Sequence, residues 1–195
     1  MDKYLNISEK VLGHCWWRPQ AVLKVTGEDA LTFLQGQVTQ DLKNASSGAV
    51  QYGLWLTPKG RVFADSVFFF FFPQEIFLMS ERTSASLLCA RMEQYIIADD
   101  VYFEDITDCY CAVDIYSDEQ FGALKLCGKP VPVLGKWEVF EGGFLFHRWP
   151  DVSEIFRVIL PREKERKLAD LPGAELSREE VEWDRIARGR AVVPD

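Results

Sequence analysis

The sequence predicts an α+β fold, with mainly antiparallel sheets and packed helices. Three observations lead there: strand-length apolar blocks recur along the chain, single helices interrupt them, and short turns join neighbouring blocks as hairpins. No internal repeat, low-complexity tract or long linker is visible. At 195 residues, the chain is long enough for a substantial core, and we expect two interlocked parts, 1–107 and 108–195.

Residues 1–19, which include Cys15-Trp16-Trp17, are expected to form an arm packing its aromatics on the body. Residues 20–25 read as a strand, and a helix follows from Glu28. Thr26 and Asp29 fit a capping box there, while Ala30, Phe33, Leu34 and Val38 fall at i, i+3, i+4 and i+8 on one face. Gly36 interrupts that face. A mid-helix glycine costs roughly 1 kcal/mol against Ala, so the position either needs close backbone approach or is a plain structural Gly.

The polar stretch Asn44-Ala45-Ser46-Ser47-Gly48 is a loop. Strands over 50–56 and 62–72 then flank Pro58-Lys59-Gly60, where Pro presets φ and Gly is free to take a positive one. That is a hairpin. Residues 76–80 form a further strand, and a helix is expected over 83–97, with Leu88, Met92, Tyr95 and Ile96 as its core stripe. Strands follow over 101–106 and 109–116. In the second, Cys109, Cys111, Val113 and Ile115 alternate with Tyr110, Ala112, Asp114 and Tyr116.

The second part continues with a loop over 128–135 and strands over 137–140, 144–148 and 155–160. Glu141-Gly142-Gly143 turns the first two of these into a hairpin. Arg162-Glu163-Lys164-Glu165-Arg166-Lys167 reads as a solvated helix surface. Ser177 and Glu180 form a second capping box, opening a terminal helix with Trp183, Ile186 and Ala187 inward and an Asp184–Arg188 pair at i, i+4.

Hydrophobic residues make up 48% and charged residues 27%, which is ordinary for a folded domain and argues against long disorder. A net charge of -8 disfavours nucleic acid and anionic lipid as partners, because neither finds a basic footprint. The start of the chain lacks the layout of a signal peptide. The longest apolar run, 67–72, is far shorter than the roughly 20 residues of a membrane-spanning helix. Cys15, Cys89, Cys109, Cys111 and Cys127 show no CxxC spacing, so neither a disulfide framework nor a zinc site is expected, and a reducing cytoplasm fits. Cys109 and Cys111 are expected on one strand face as core packing. Two histidines, His14 and His147, are too few for a His-based metal site.

One stretch carries most of the functional signal. Gly27-x-Asp29-Ala30-x-x-Phe33-Leu34-Gln35-Gly36-Gln37-x-Thr39-x-Asp41, followed by Lys59-Gly60-Arg61 and Asp65, resembles the folate-binding proteins of the YgfZ type. These are relatives of the glycine-cleavage T-protein, an aminomethyltransferase. Arg185-Ile186-Ala187-Arg188-Gly189 with Val193-Pro194 is similar to a later segment of the same family. That family's next landmark, Lys-Gly-Cys-Tyr-x-Gly-Gln-Glu, does not occur before Asp195. The resemblance therefore implies the first two domains of the T-protein/YgfZ fold, with the third β-barrel domain absent. An apolar patch left by its absence would favour a homo-oligomer.

Asp65 stands on a strand dominated by Val and Phe, where an unpaired carboxylate is costly, so either Arg61 or a ligand should satisfy it. The resemblance implies that Asp65 faces reduced folate, at the pterin and its reacting nitrogen, as the candidate catalytic group. It implies tetrahydrofolate as the cofactor, held by Asp65, Tyr52, Gln37 and Arg148, and iron-sulfur client proteins as partners. Arg148 suits the folate glutamyl carboxylate, because a planar guanidinium can pair bidentately, or it is a rim arginine needing no ligand. Tyr52, Trp55 and Trp149 either stack on a pterin or belong to the core. Where the aminomethyltransferases have Leu-Tyr-x-x-Ser-Asn, this chain has Ile76-Phe77-Leu78-Met79-Ser80-Glu81. Their Arg-Tyr-Thr-Gly-Glu is matched only by Arg148-Trp149-Pro150-Asp151-Val152. These departures speak against the same reaction. They leave three expectations: a folate-binding protein linked to iron-sulfur proteins, an aminomethyltransferase, or an interaction module with a vestigial pocket.

Overall fold

A computed structural model describes residues 13–71, 75–116, 132–149, 152–169, 171 and 173–190. Cys127, Asp151, Val193-Pro194 and the first half of the expected 128–135 loop lie outside these residues. Among the described residues there are two sheets, a five-stranded one and a six-stranded one. No helix among the described residues is long and apolar enough to cross a membrane.

The chain divides into two compact units that are not consecutive in sequence. Among the described residues, one is Pro19–Tyr110; the other joins the segment ending at Arg18 to the segment that begins at Cys111. This differs from a division at 107/108 because residues 13–17 are not an arm. They form strand β1 (Gly13–Trp17), which pairs antiparallel with β7 (Tyr110–Tyr116) and parallel with β11 (Ala174–Glu175). Backbone hydrogen bonds thus return the first strand to the second part of the chain.

In the Pro19–Tyr110 unit, the sheet runs β3-β4-β5-β2-β6, with β2 (Ala21–Thr26), β3 (Val50–Leu56), β4 (Val62–Phe71), β5 (Glu75–Ser80) and β6 (Tyr102–Asp105). Every paired neighbour is antiparallel. Period-2 alternation sends Ala64, Ser66, Phe68 and Phe70 of β4 to one face, which α1 (Ala30–Gln35) and α2 (Ala85–Glu93) cover. Phe33, Leu34, Leu88 and Met92 fill that layer around a fully buried Trp55. The Trp55 indole N–H donates to Ser66 Oγ at 2.9 Å, which satisfies two polar groups inside the core. Trp55 is therefore a core residue and not a stacking platform.

Both helices are shorter than their periodicity suggests. The capping box expected at Thr26 and Asp29 does not form, because the Asp29 carboxylate accepts instead from the Asp100 backbone N–H at 2.8 Å. Gly36 is the C-cap of α1 with an ordinary φ of -77°, and a methyl there would meet Phe33 O at 3.4 Å and Thr32 O at 3.9 Å. Gly27 is the glycine the fold demands: its φ is +118°, and a Cβ would stand 2.0 Å from Asp100 O. In α2, Ser84 caps the N-terminus, and Leu88 and Met92 point inward, but the helix ends before Tyr95. Tyr95 lies exposed under the Arg91 guanidinium, 4.0 Å from the ring centroid.

The other unit holds the sheet β11-β1-β7-β10-β9-β8, with β8 (Trp137–Phe140), β9 (Gly143–Trp149) and β10 (Val152–Pro161). Glu141 and Gly142 both take positive φ between β8 and β9, the geometry of a two-residue hairpin turn. The charged run is a 3-10 segment (Arg162–Leu168) that turns Leu168 inward. Cys109 and Cys111 do not share a strand face: Cys109 is exposed in a 3-10 turn, whereas Cys111 is buried on β7. The terminal helix α3 (Arg178–Ala187) opens on the expected Ser177–Glu180 capping box. Its inward residues are Val181 and Asp184, while Trp183 and Ile186 are exposed, because Asp184 is drawn into the unit and paired with Arg188 at 3.0 Å.

Candidate functional site

Asp65 is carried on β4 just past an irregularity in the ladder. Trp55 pairs with Ala64 and Leu56 with Val62, so Phe63 is the extra residue of a bulge. Beyond it, Asp65 stands opposite Leu54 and points away from the helix-covered face. Its partner is Tyr52, whose hydroxyl donates to Asp65 Oδ2 at 2.9 Å. The Arg61 alternative is not realised. Arg61 closes the Thr57–Arg61 turn, where its N–H reaches Thr57 Oγ1 at 3.1 Å and Thr57 N–H reaches Arg61 O at 2.8 Å.

A second carboxylate accompanies the pair. Val67 is level with Met79 on β5, so two residues back along β4 and two residues past Met79 bring Asp65 and Glu81 level. The electrostatics agree with that placement. Burial pushes the Asp65 carboxyl above the usual range, the Glu81 charge adds to the rise, and the Tyr52 hydrogen bond and Arg82 oppose it. The Tyr52 phenol is also held well above its usual value, first by desolvation and then by the Asp65 charge, with a smaller contribution from Glu81. Tyr52 as a residue remains 46% exposed.

The other residues of the motif build the edge on which this pair sits. Gln35 Oε1 accepts from the N–H groups of Leu42 and Lys43 at 2.6 and 3.1 Å, and Asp41 accepts from Lys43 N–H and the Asn44 amide. Val38 bridges Trp55, while Thr39 N–H donates to Leu54 O and Thr39 Oγ1 accepts from Leu54 N–H. The post-helix segment is thereby clipped along β3 opposite Leu54, the residue that pairs with Asp65. Gln37 is half-buried one residue before that bridge and joins neither Tyr52 nor Asp65.

Arg148 belongs to the other unit. Its guanidinium is buried, lies 3.2 Å from Asp114 Oδ2, donates to Tyr116 Oη at 3.2 Å and stacks over Trp149 at 4.5 Å. Asp114 is also gripped by Arg157 through Nε and NH2 at 2.6 and 2.9 Å. Of the residues singled out from the sequence, the structure brings together Tyr52 and Asp65. Sequence reasoning counted Glu81 only as a departure from a pattern. The β4–β5 register is the signal that places it beside Asp65. No group of three or more His, Cys, Asp or Glu among the described residues could hold a metal ion.

Residues 19–116 match the GCVT N-terminal domain, and the chain belongs to that family. Over 85 residues it is 38% identical to an aminomethyltransferase of Chlorobium phaeobacteroides, covering 43% of this chain and 23% of that protein. Over 91 residues it is 30% identical to an uncharacterized protein of Aquifex aeolicus, covering 47% of this chain and 60% of the other. The glycine cleavage system aminomethyltransferase T from Bartonella henselae superposes with a TM-score of 0.69 at 15% identity, covering 84% of this chain and 47% of that one. The last likeness concerns the fold, which is of the aminomethyltransferase type. The chain spans less than two thirds of each of these proteins.

Proposed function

We propose that the chain binds a reduced folate, tetrahydrofolate, at Asp65, and does so as a folate-binding protein of the YgfZ type without carrying out aminomethyl transfer. The observation that carries this reading is the Tyr52–Asp65 hydrogen bond inside the segment matching the GCVT N-terminal domain. The donor set fits the ligand. A half-buried carboxylate with one hydroxyl on Oδ2 retains capacity to accept a ring N–H, and an exposed phenol ring beside it provides a face for a flat heterocycle. Gln37 borders the same strand pair. Arg148 is left out of the proposed contact set because its guanidinium is occupied by Asp114 and Tyr116.

Glu81 supports binding over transfer. It stands where the aminomethyltransferase pattern has Asn, and its charge acts on Asp65, the group that the resemblance sets against the reacting nitrogen of the folate. By the same resemblance, the proposed setting is the upkeep of iron-sulfur proteins, and the cysteine pattern fits a reducing cytoplasm. A second reading, aminomethyl transfer, is favoured by the 38% identity to the Chlorobium phaeobacteroides aminomethyltransferase.

Calorimetric titration with 5-formyltetrahydrofolate tests the proposal. Saturable binding is expected for the natural chain, abolished by Asp65→Ala and weakened about three- to tenfold by Tyr52→Phe, the size of one hydrogen bond. No binding by the natural chain would sink the folate reading and leave an interaction module. Turnover in a glycine-cleavage assay would replace it with the second reading.

A further inference from the structure

Asp65 is the middle member of a row on the face of the five-stranded sheet turned away from the helices. Leu54 lies level with it on β3, and Glu81 lies level with it just past the end of β5, while the neighbouring row is Tyr52, Val67 and Met79. Alternation puts both rows on one face. Leu54, Val67 and Met79 have apolar side chains and supply no polar hydrogen. The Tyr52 hydroxyl has one, and it is committed to Asp65 Oδ2 at 2.9 Å.

What the side chains of these two rows offer a ligand is therefore acceptor without donor. An ionised carboxylate takes hydrogen bonds and gives none, whereas the Asn of the aminomethyltransferase pattern would bring two N–H donors to the position of Glu81. Glu81 is close enough for its charge to act on both Tyr52 and Asp65. Arg82 is the cation whose charge opposes it at Asp65, and it acts less strongly. A ligand that brings an acceptor of its own is penalised here, because a lone pair set against two carboxylates in a half-buried site finds no hydrogen.

We infer that Glu81 makes this site selective for folates that carry a hydrogen on ring nitrogen N5 and sets it against those acylated there. The inference rests on the folate reading above. Tetrahydrofolate has an N5–H, which is a donor for Asp65. In 5-formyltetrahydrofolate a formyl group replaces that hydrogen, so the ligand loses the donor and presents a carbonyl oxygen, an acceptor, to the same pair of carboxylates. The two ligands share the rest of the pterin and the glutamyl tail. Their difference in affinity therefore isolates this contact.

Calorimetric titration of the whole chain with each ligand, in anaerobic buffer containing dithiothreitol, reads the ratio of the two Kd values. The natural chain is expected to bind both, and tetrahydrofolate about tenfold or more tighter, the size of a donor lost against a partly buried acceptor. Glu81→Gln, whose amide can donate to the formyl oxygen, should bring the two affinities within about threefold of each other, chiefly by tightening 5-formyltetrahydrofolate. Glu81→Asp keeps the charge and should keep the preference. A purely structural role for Glu81 would change both affinities alike and leave their ratio, and that result would overturn the inference. Equal affinity of the natural chain for the two ligands would overturn it as well, while leaving the folate reading intact. Binding of neither ligand is a separate failure, which removes the folate reading and this inference with it.

Discussion

Tyr52 and Asp65 are two residues out of register on adjacent strands, and the hydrogen bond between them runs diagonally across the β3–β4 ladder. The hydroxyl opposes the rise in the Asp65 carboxyl pKa, and Glu81 promotes it. Tyr52→Phe should therefore move the Asp65 carboxyl titration to higher pH, and Glu81→Gln should move it lower. Carbon-13 carboxyl titration by NMR reads both. A shift of the same sign in the two variants would contradict this arrangement.

Stability should carry the mark of the same carboxyl. Burial raises the folded value above the unfolded one, so the folded chain holds the Asp65 proton more tightly. Stability contributed by that proton is present below the ordinary carboxylate range and is lost as pH rises through the raised folded value. Asp65→Asn keeps an acceptor for Tyr52 and removes the charge. It should melt higher than the natural chain at pH 7, with the difference vanishing near about pH 3, where the carboxyl is neutral in both states.

Two glycines of the family pattern should behave oppositely. Gly27→Ala forces a Cβ to 2.0 Å from Asp100 O at a φ of +118°, and should cost at least about 2 kcal/mol in denaturant unfolding. Gly36→Ala, at a helical φ and with only an ordinary contact, should stabilise by up to about 1 kcal/mol.

The buried charges of the other unit should outweigh those on the surface. Asp114 is fully buried between Arg148 and Arg157, so Asp114→Asn leaves two guanidiniums without their anion and should cost about 3–5 kcal/mol. Glu165→Gln breaks the exposed Arg18–Glu165 bridge of 3.0 Å and should change stability by less than about 1 kcal/mol. Thermal melts of the two variants compare them directly.

What the sequence determined by itself is local. The β3–β4 hairpin about Pro58-Lys59-Gly60, the Glu141-Gly142 turn, the Ser177–Glu180 capping box and the Asp184–Arg188 pair are each written in a few neighbouring residues, whose backbone preferences do not depend on the rest of the chain. The family pattern was legible for the same reason. Much of it, from Gln35 and Thr39 to Asp41, builds one loop against one strand. Tertiary structure decided what depends on register and long-range pairing. It returned β1 to β7, stopped α2 before Tyr95, faced α3 inward through Asp184, gave Asp65 to Tyr52 instead of Arg61, and brought Glu81 level with it. A strand's alternation is the same on either side of a one-residue slip. Only the hydrogen-bonded ladder fixes which side chains meet.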